Sequence, residues 1–404
     1  MFCFFVFYHY LCIKFKTITM RKLIALLLTM CVAPGVFAQL NSNGEGFYRI
    51  SSQQTKRYMS LESNRFTINN SGSIPKIDMS SLTTIEAGSN QSNIVSNPAS
   101  VFYIKRSKGN EYDLMSQGVN TWEMSGQRYH LTIEGNNPYD IKAIGNYKSV
   151  YVNYAISENM EHIVTPHGSS VYKWNITPIK SSDANSFFGI IPQITSGNKY
   201  YSSFYASFAF NFASAGMKAW VVDYIDYNRN IAVVKEITGI VPSATPVIIE
   251  CSSPTAASNK MNLYASGGTR PANNAMEGVF FCKTGKMENF VKYNSQTMRV
   301  LGLASDGSLA FVQAPSTQLY VPANTTYLKV NKGSAGEFKI MTWDEYNAST
   351  PGDLNGDGEV DVTDVVELID MVLAGSTDPA GDINGDGEVD VTDVVELIDM
   401  VLAG

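Results

Sequence analysis

GDLNGDGEVDVTDVVELIDMVLAG, residues 352–375, returns as GDINGDGEVDVTDVVELIDMVLAG at residues 381–404, with Leu354 against Ile383 as the single difference. The copies are offset by 29 residues and joined by Ser376-Thr377-Asp378-Pro379-Ala380. Each opens D-x-N-G-D-G and carries a further Asp at the twelfth place. That spacing suits Ca²⁺, which takes six to eight hard oxygen ligands at about 2.3–2.6 Å and is wrapped by a loop presenting positions 1, 3, 5, 7, 9 and 12. In the first copy these are Asp353, Asn355, Asp357, the Glu359 carbonyl, Asp361 and Asp364; in the second, Asp382, Asn384, Asp386, the Glu388 carbonyl, Asp390 and Asp393. Two Ca²⁺ ions are therefore expected. Gly358 and Gly387 hold position six, where a sharp turn favours a residue without Cβ. Val360 and Val389, at position eight, are expected to join the loops by a short β contact.

After each loop the pattern turns helical. Val365, Leu368, Ile369, Val372 and Leu373 recur at i, i+3, i+4, i+7 and i+8, and Val394, Leu397, Ile398, Val401 and Leu402 repeat them. Neither stripe can be buried alone, so the two helices are expected to pack together. A solvated acidic tail would have neither ordered ligand spacing nor helical apolar stripes.

These duplicated loop-helix units resemble the type I dockerin, an EF-hand-like module with Asp in place of the usual loop-closing Glu and no helix before the loop. The resemblance implies a calcium-loaded module that docks onto a cohesin domain, usually on the scaffold of a polysaccharide-degrading assembly. In that family partner choice lies partly at positions ten and eleven, here Val362-Thr363 and Val391-Thr392, and in a pair on the following helix. That pair is usually basic; here it is Ile369-Asp370 and Ile398-Asp399. Near-identity of the units implies docking in two orientations related by a half-turn.

Charge follows the same division. The net charge is −7, but 15 of the 37 Asp and Glu fall after residue 352, where there is no Lys or Arg. The remaining 22 acids face 30 bases with no basic run, so neither part suits a nucleic-acid backbone. At the other end, Met20-Arg21-Lys22 precedes the apolar run from Leu23 to Ala33, and Val36-Phe37-Ala38 ends it. This reads as a secretory signal peptide cut after Ala38, with residues 1–19 an over-extended start. The run falls short of the ~20 apolar residues that span a bilayer. Processing leaves Cys251 and Cys282 as either a disulfide or two buried thiols, because an exported protein sits in an oxidising compartment.

The body between these ends is expected to be mainly β. Over residues 39–180 the candidate strands begin at Phe47, Tyr58, Val101, Tyr112, Tyr129, Tyr139, Val150 and Tyr172, separated by Asn/Gly/Ser turns. The opening GFYRIS…RYMSL and the closing YKWNITPI resemble a β-trefoil of the ricin-B-like lectin type, although that family's Gln-x-Trp signature is absent. A second β domain, sandwich or barrel, is expected over 181–346. There Phe208-Ala209-Phe210-Asn211-Phe212 alternates at period two. Val241-Pro242-Ser243-Ala244-Thr245 is echoed by Val321-Pro322-Ala323-Asn324-Thr325, each before an apolar strand. Residues 347–351 form a linker, and 352–404 the small helical module.

Catalytic motifs are missing: no H-E-x-x-H, G-x-S-x-G, P-loop or Rossmann glycine pattern occurs. His162 and His167 have weak metal spacing and read as surface residues. Asp223 and Asp226 could pair for glycoside cleavage but flank a strand and turn, and are expected to be solvated edge carboxylates. Trp122, Trp174, Trp220 and Trp343 could stack on sugars, with most of them core. The first reading is a secreted, non-catalytic modular protein whose β domains bind glycan or another surface ligand; the alternative is a glycoside hydrolase or an accessory subunit of polysaccharide breakdown.

Overall fold

Short alternating runs punctuated by Gly, Asn and Ser turns become strands throughout the computed structural model. It describes residues 45–403 apart from 62–65, 68–75, 78–82, 110, 121–122, 125–126, 129, 135–136, 145–148, 152–172, 282–290, 349–350, 356 and 358. The signal peptide, Trp122, His162, His167, Cys282, Gly358 and the side chain of His130 lie outside the described residues. The chain is mainly β, with its two long helices at the C-terminus.

Gly46–Ser52 stands inside a ten-stranded antiparallel sheet, between Phe102–Lys108 and Tyr58–Ser60. It also pairs with Trp174–Pro178, in register from Tyr48↔Pro178 to Ser52↔Trp174. The opening and closing segments of the N-terminal region are thus hydrogen-bonded neighbours. Alternation buries one face of this sheet, and Tyr48, Ile50, Phe102, Ile104, Leu114, Trp174 and Ile176 fill its core. A one-turn helix, α1 (Ser92–Val95), gives no sequence signal. It is tied to the sheet by the buried Arg49, whose Nη2 donates to Ile94 O at 3.0 Å. Burial pushes that guanidinium down to about 10, with Tyr58 opposing the shift.

The second region holds another ten-stranded sheet, running from Ile194–Ser196 at one edge to Met276–Val279 at the other. One pairing in it is parallel, Ile231–Glu236 with Glu337–Thr342. A three-stranded sheet of Phe188–Gly189, Lys260–Tyr264 and Ala209–Phe212 accompanies it. Phe188, Phe204, Phe208, Phe210, Val221 and Ile249 share one core, with Phe212 packed partly buried against it. The Val-Pro echo is structural as well as sequential: Ala244 and Asn324 both take left-handed backbone, at φ 52° and 57°, and the strands Val247–Cys251 and Thr325–Lys329 follow.

The two β regions pack closely. Val101 and Phe47 join the core of the second, while Phe281 and Phe280 join that of the first. Between them Gln117 Nε2 donates to Asn324 Oδ1 at 2.8 Å and Asn324 Nδ2 returns a bond to Gln117 Oε1 at 2.9 Å. Cys251 is a buried free thiol; burial first, then the neighbouring Glu250, raises it to about 12.

A second helix, α2 (Trp343–Ala348), was not expected and reaches into the segment read as linker. It corrects the reading of Asp223 and Asp226. Trp343 Nε1 donates to Asp223 Oδ2 at 3.1 Å, and the Tyr346 hydroxyl donates to Asp226 Oδ2 at 3.1 Å. Asp226 is buried and accepts from Asn228 N and Arg229 N, both at 2.9 Å. These carboxylates fix a turn and a helix instead of standing solvated at an edge. Of the tryptophans, Trp174 is wholly buried, while Trp220 and Trp343 are half-buried.

Since Trp174 sits where the first and last strands of the N-terminal region meet, Trp174→Ala is expected to cost about 3–5 kcal/mol. Thermal denaturation followed by near-ultraviolet circular dichroism measures the loss.

Candidate metal centre and docking face

Each C-terminal loop is wound by its own side chains. Asn355 Oδ1 accepts from Asp357 N at 2.8 Å, and Asp357 Oδ1 from Glu359 N at 3.0 Å. The second loop repeats this, with Asn384 Oδ1 accepting from Asp386 N at 2.8 Å and Asp386 Oδ1 from Glu388 N at 2.9 Å. Gly387 at position six has φ +91°, a backbone that side chains other than glycine's rarely tolerate. Its N–H donates to Asp382 Oδ2 at 2.9 Å.

The twelfth position closes each loop. Asp364 and Asp393 are 0% exposed. Asp364 Oδ1 accepts from Leu354 N at 2.8 Å and Asn355 N at 3.0 Å, and its Oδ2 from Asp361 N at 2.9 Å. Asp393 accepts from Ile383 N, Asn384 N and Asp390 N at 2.8, 3.1 and 2.8 Å. The same residues start the helices α3 (Val362–Leu373) and α4 (Val391–Ala403). Asp361 caps α3 by accepting from Thr363 N at 2.7 Å, and Asp364 completes a capping box. Asp361 is held below the usual carboxylate range by the Thr363 hydroxyl and then by its N–H, and Asp390 is held down in the same way by Thr392.

Val365, Leu368, Val394 and Leu397 form the buried centre between the helices, with Leu354, Val360, Met371, Val372, Ile383, Val389 and Val401 around it. Approach is close at two glycines. A Cβ on Gly352 would lie 2.7 Å from Leu397 Cδ1, and one on Gly381 would lie 2.8 Å from Val389 Cγ1 and 2.9 Å from Met371 Cε. Gly352 thus faces the helix of the second unit and Gly381 that of the first, so the duplication in sequence becomes a two-fold exchange of contacts.

Two expectations are corrected here. Among the described residues no β-bridge joins Val360 to Val389; both valines pack into the interhelical core instead. The apolar stripes also divide. Val365, Leu368 and Val372 turn inward with Met371, whereas Ile369 and Ile398 are exposed, and Leu373 and Leu402 are 80% and 78% exposed. A five-position stripe is wider than one helix contact can cover, so its outer edge faces solvent.

That edge belongs to a larger surface. Val362, Val366, Ile369 and Leu373 are exposed along α3, and Val391, Val395, Ile398 and Leu402 along α4. The residues read as partner-binding lie on or beside it: Val362, Thr363, Ile369 and Asp370 on one helix, Val391, Thr392, Ile398 and Asp399 on the other, all exposed. Thr363 is also tied to its loop, accepting from Asn355 Nδ2 at 2.6 Å, and Thr392 accepts from Asn384 Nδ2 at 2.9 Å.

Residues 351–402 match the family model described as the dockerin type I domain. This segment is a type I dockerin. Comparison with curated proteins and with solved structures finds no match. The dockerin loops hold their carboxylates in a wound but open arrangement: among the described residues no three His, Cys, Asp or Glu side chains converge as a metal cage. Two of the six donors in each proposed set are amide or main-chain oxygen, and Asp364 and Asp393 also serve backbone N–H groups. The donor chemistry nevertheless fits a hard cation. Asp382 Oδ1 is buried with no hydrogen-bond partner, and only a cation or a donor can compensate such an atom. No helix among the described residues is long and apolar enough to cross a membrane.

Asp364→Asn should be poorly tolerated in the dockerin, because its new N–H₂ would face the Asp361 N–H. A loss of about 1–3 kcal/mol is expected, read as a lower urea midpoint at 222 nm.

Proposed function

We propose that this is a secreted modular protein that docks through a calcium-loaded type I dockerin onto a cohesin-like domain. The single observation that carries this reading is the pairing of two wound acidic loops with two equally exposed apolar helix faces. Asp353, Asn355, Asp357, the Glu359 carbonyl, Asp361 and Asp364 would hold one Ca²⁺; Asp382, Asn384, Asp386, the Glu388 carbonyl, Asp390 and Asp393 would hold a second. The unpartnered Asp382 Oδ1 supports the cation reading. So does the sequence, which offers this segment fifteen carboxylates and no basic side chain. Bound calcium would fix the loops, hence the start of each helix, hence the faces that carry Val362, Thr363, Ile369 and Asp370 and their counterparts Val391, Thr392, Ile398 and Asp399. Matching exposure of the two faces supports docking in either of two orientations. Contiguous exposed apolar surface rimmed by polar groups is what a protein partner covers.

The β body, read as a trefoil-like domain over 39–180 and a second domain over 181–346, is what the dockerin presents. The pairing of its first strand with Trp174–Pro178 supports the first of these as one module. Glycan or surface binding is the preferred role; the alternative is a hydrolase acting on O-glycosyl bonds. The structural work done by Asp223 and Asp226 favours the binding role.

Capture of a cohesin domain by the purified chain should require calcium and vanish in EDTA. Val366→Lys with Ile369→Lys should weaken capture by only about twofold, since the second face remains. Adding Val395→Lys and Ile398→Lys should abolish it, by about a hundredfold or more, as removal of a central apolar cluster does. Full loss from the first pair alone would refute the two-orientation reading. Incubation of the chain with plant and host polysaccharides should release no reducing sugar; reproducible hydrolysis would favour the alternative.

A further inference from the structure

The large sheet of the second β region curls until its ends meet. Ser203 Oγ accepts from Thr326 N at 2.7 Å, and Tyr205 N donates to Asn324 O at 3.0 Å. At the hairpin leading into the strand Lys199–Phe204, Ser196 Oγ donates to Gly307 O at 3.0 Å. Beside this contact a cavity of about 390 Å³ opens, lined among others by Lys199, Tyr201, Lys218, Trp220, Glu250 and Glu345. Its size falls within the range of small-molecule sites, about 300–1,000 Å³, and barrel mouths are a common place for them. Strand register brings the groups together: Tyr201 lies opposite Glu250, Glu250 opposite Lys218, and Trp220 opposite Ile248.

Both lysines in this mouth are already paired with carboxylates. Lys199 Nζ lies 3.1 Å from Glu250 Oε1, and Lys218 Nζ lies 3.2 Å from Glu236 Oε2 and 5.2 Å from the Trp220 ring centroid. Glu345 Oε2 accepts from Thr342 N at 2.8 Å and Thr342 Oγ1 at 3.0 Å. By contrast, the Tyr201 hydroxyl and the Trp220 indole N–H make no hydrogen bond among the described residues, although both rings are half-buried. Such polar tips normally find a partner. An anionic ligand would have to break an ion pair to reach either lysine, a cationic one would find Glu250 already paired, and a purely apolar one would strand the two tips.

We propose that this mouth binds a neutral oligosaccharide. The inference rests on reading the β body as glycan-binding and locates that activity in the second region, away from the lectin-like N-terminal one. A pyranose offers a C–H face to an aromatic ring and hydroxyls that both donate and accept. It can donate to Glu250 and Glu345 and accept from the Trp220 N–H and the lysines. Burial first, then Glu250 and Glu345, raises the Tyr201 hydroxyl to about 12, so it stays protonated and can play either part.

The test is isothermal titration of the full chain, in calcium, with short neutral oligosaccharides of glucose, xylose, mannose and galactose, and with oligogalacturonate and chitosan oligomers as charged probes. At least one neutral probe should bind. Trp220→Ala should weaken it by about tenfold or more and Tyr201→Phe by a few-fold, sizes typical of a lost aromatic contact and a lost hydrogen bond. Trp343→Phe should leave it unchanged. Tyr201→Phe removes one oxygen and keeps the ring, so it decides the matter if Trp220→Ala fails to fold. Undiminished neutral binding in Tyr201→Phe and in any folded Trp220→Ala would overturn this site while leaving the glycan reading intact. Binding of charged probes alone would overturn the neutral class, and silence across all probes would overturn the glycan reading itself.

Discussion

A carboxylate can be kept dry only where donors or cations surround it, and the C-terminal segment has no basic side chain to offer. Asp364 and Asp393 meet this constraint with backbone. Each draws three N–H groups onto one side chain, and bonds to a charged acceptor contribute about 1.5–3 kcal/mol apiece. The donors come from positions two, three and nine of the loop, so satisfying the carboxylate folds the loop back on itself. Because Asp364 also bonds the N–H of its helix cap, the same interaction sets where α3 begins. Helix start decides which residues face inward, and so the interhelical core and the outer apolar faces both follow from one buried group per unit.

This explains why the dockerin segment was legible in the sequence. Its chemistry is local: every proposed ligand of a loop lies within twelve residues, and duplication shows the same solution twice. Legibility failed where the outcome depended on what another element covers. The period of 3.6 places Ile369 and Leu373 on the same side as Val365 and Leu368, but the width of the facing helix, which periodicity does not encode, decides which of them are buried. Asp226 failed for the same reason. In sequence it is a turn carboxylate; it becomes buried because α2 returns from 120 residues later to place the Tyr346 hydroxyl on it.

The β body follows the same rule at longer range. Strand positions were readable because alternation and turn residues are local signals, and the strands Gly46–Ser52 and Trp174–Pro178 fall within the segments read as opening and closing. The mouth of the second sheet was not readable. Tyr201, Trp220, Glu250 and Glu345 are scattered over more than a hundred residues, and neighbouring registers and the Ser203–Thr326 closure bring them together. A tryptophan at position 220 looks like any other β-protein tryptophan until its neighbours across the sheet are known.

The three features also differ in what they respond to. The loops gather like charges, which repel one another unless a cation lies between them. The helix faces are apolar, so their attraction for a partner is little screened by salt. The sheet mouth has its lysines paired with carboxylates, and a neutral ligand neither gains nor loses much as ionic strength changes. Of the three, a cation would therefore act directly only on the first. Thr363 and Thr392 extend its reach, because each is hydrogen-bonded to a loop asparagine while standing on the docking face. Loop and face thus share one side chain in each unit, whereas the sheet mouth draws its walls from the β body alone.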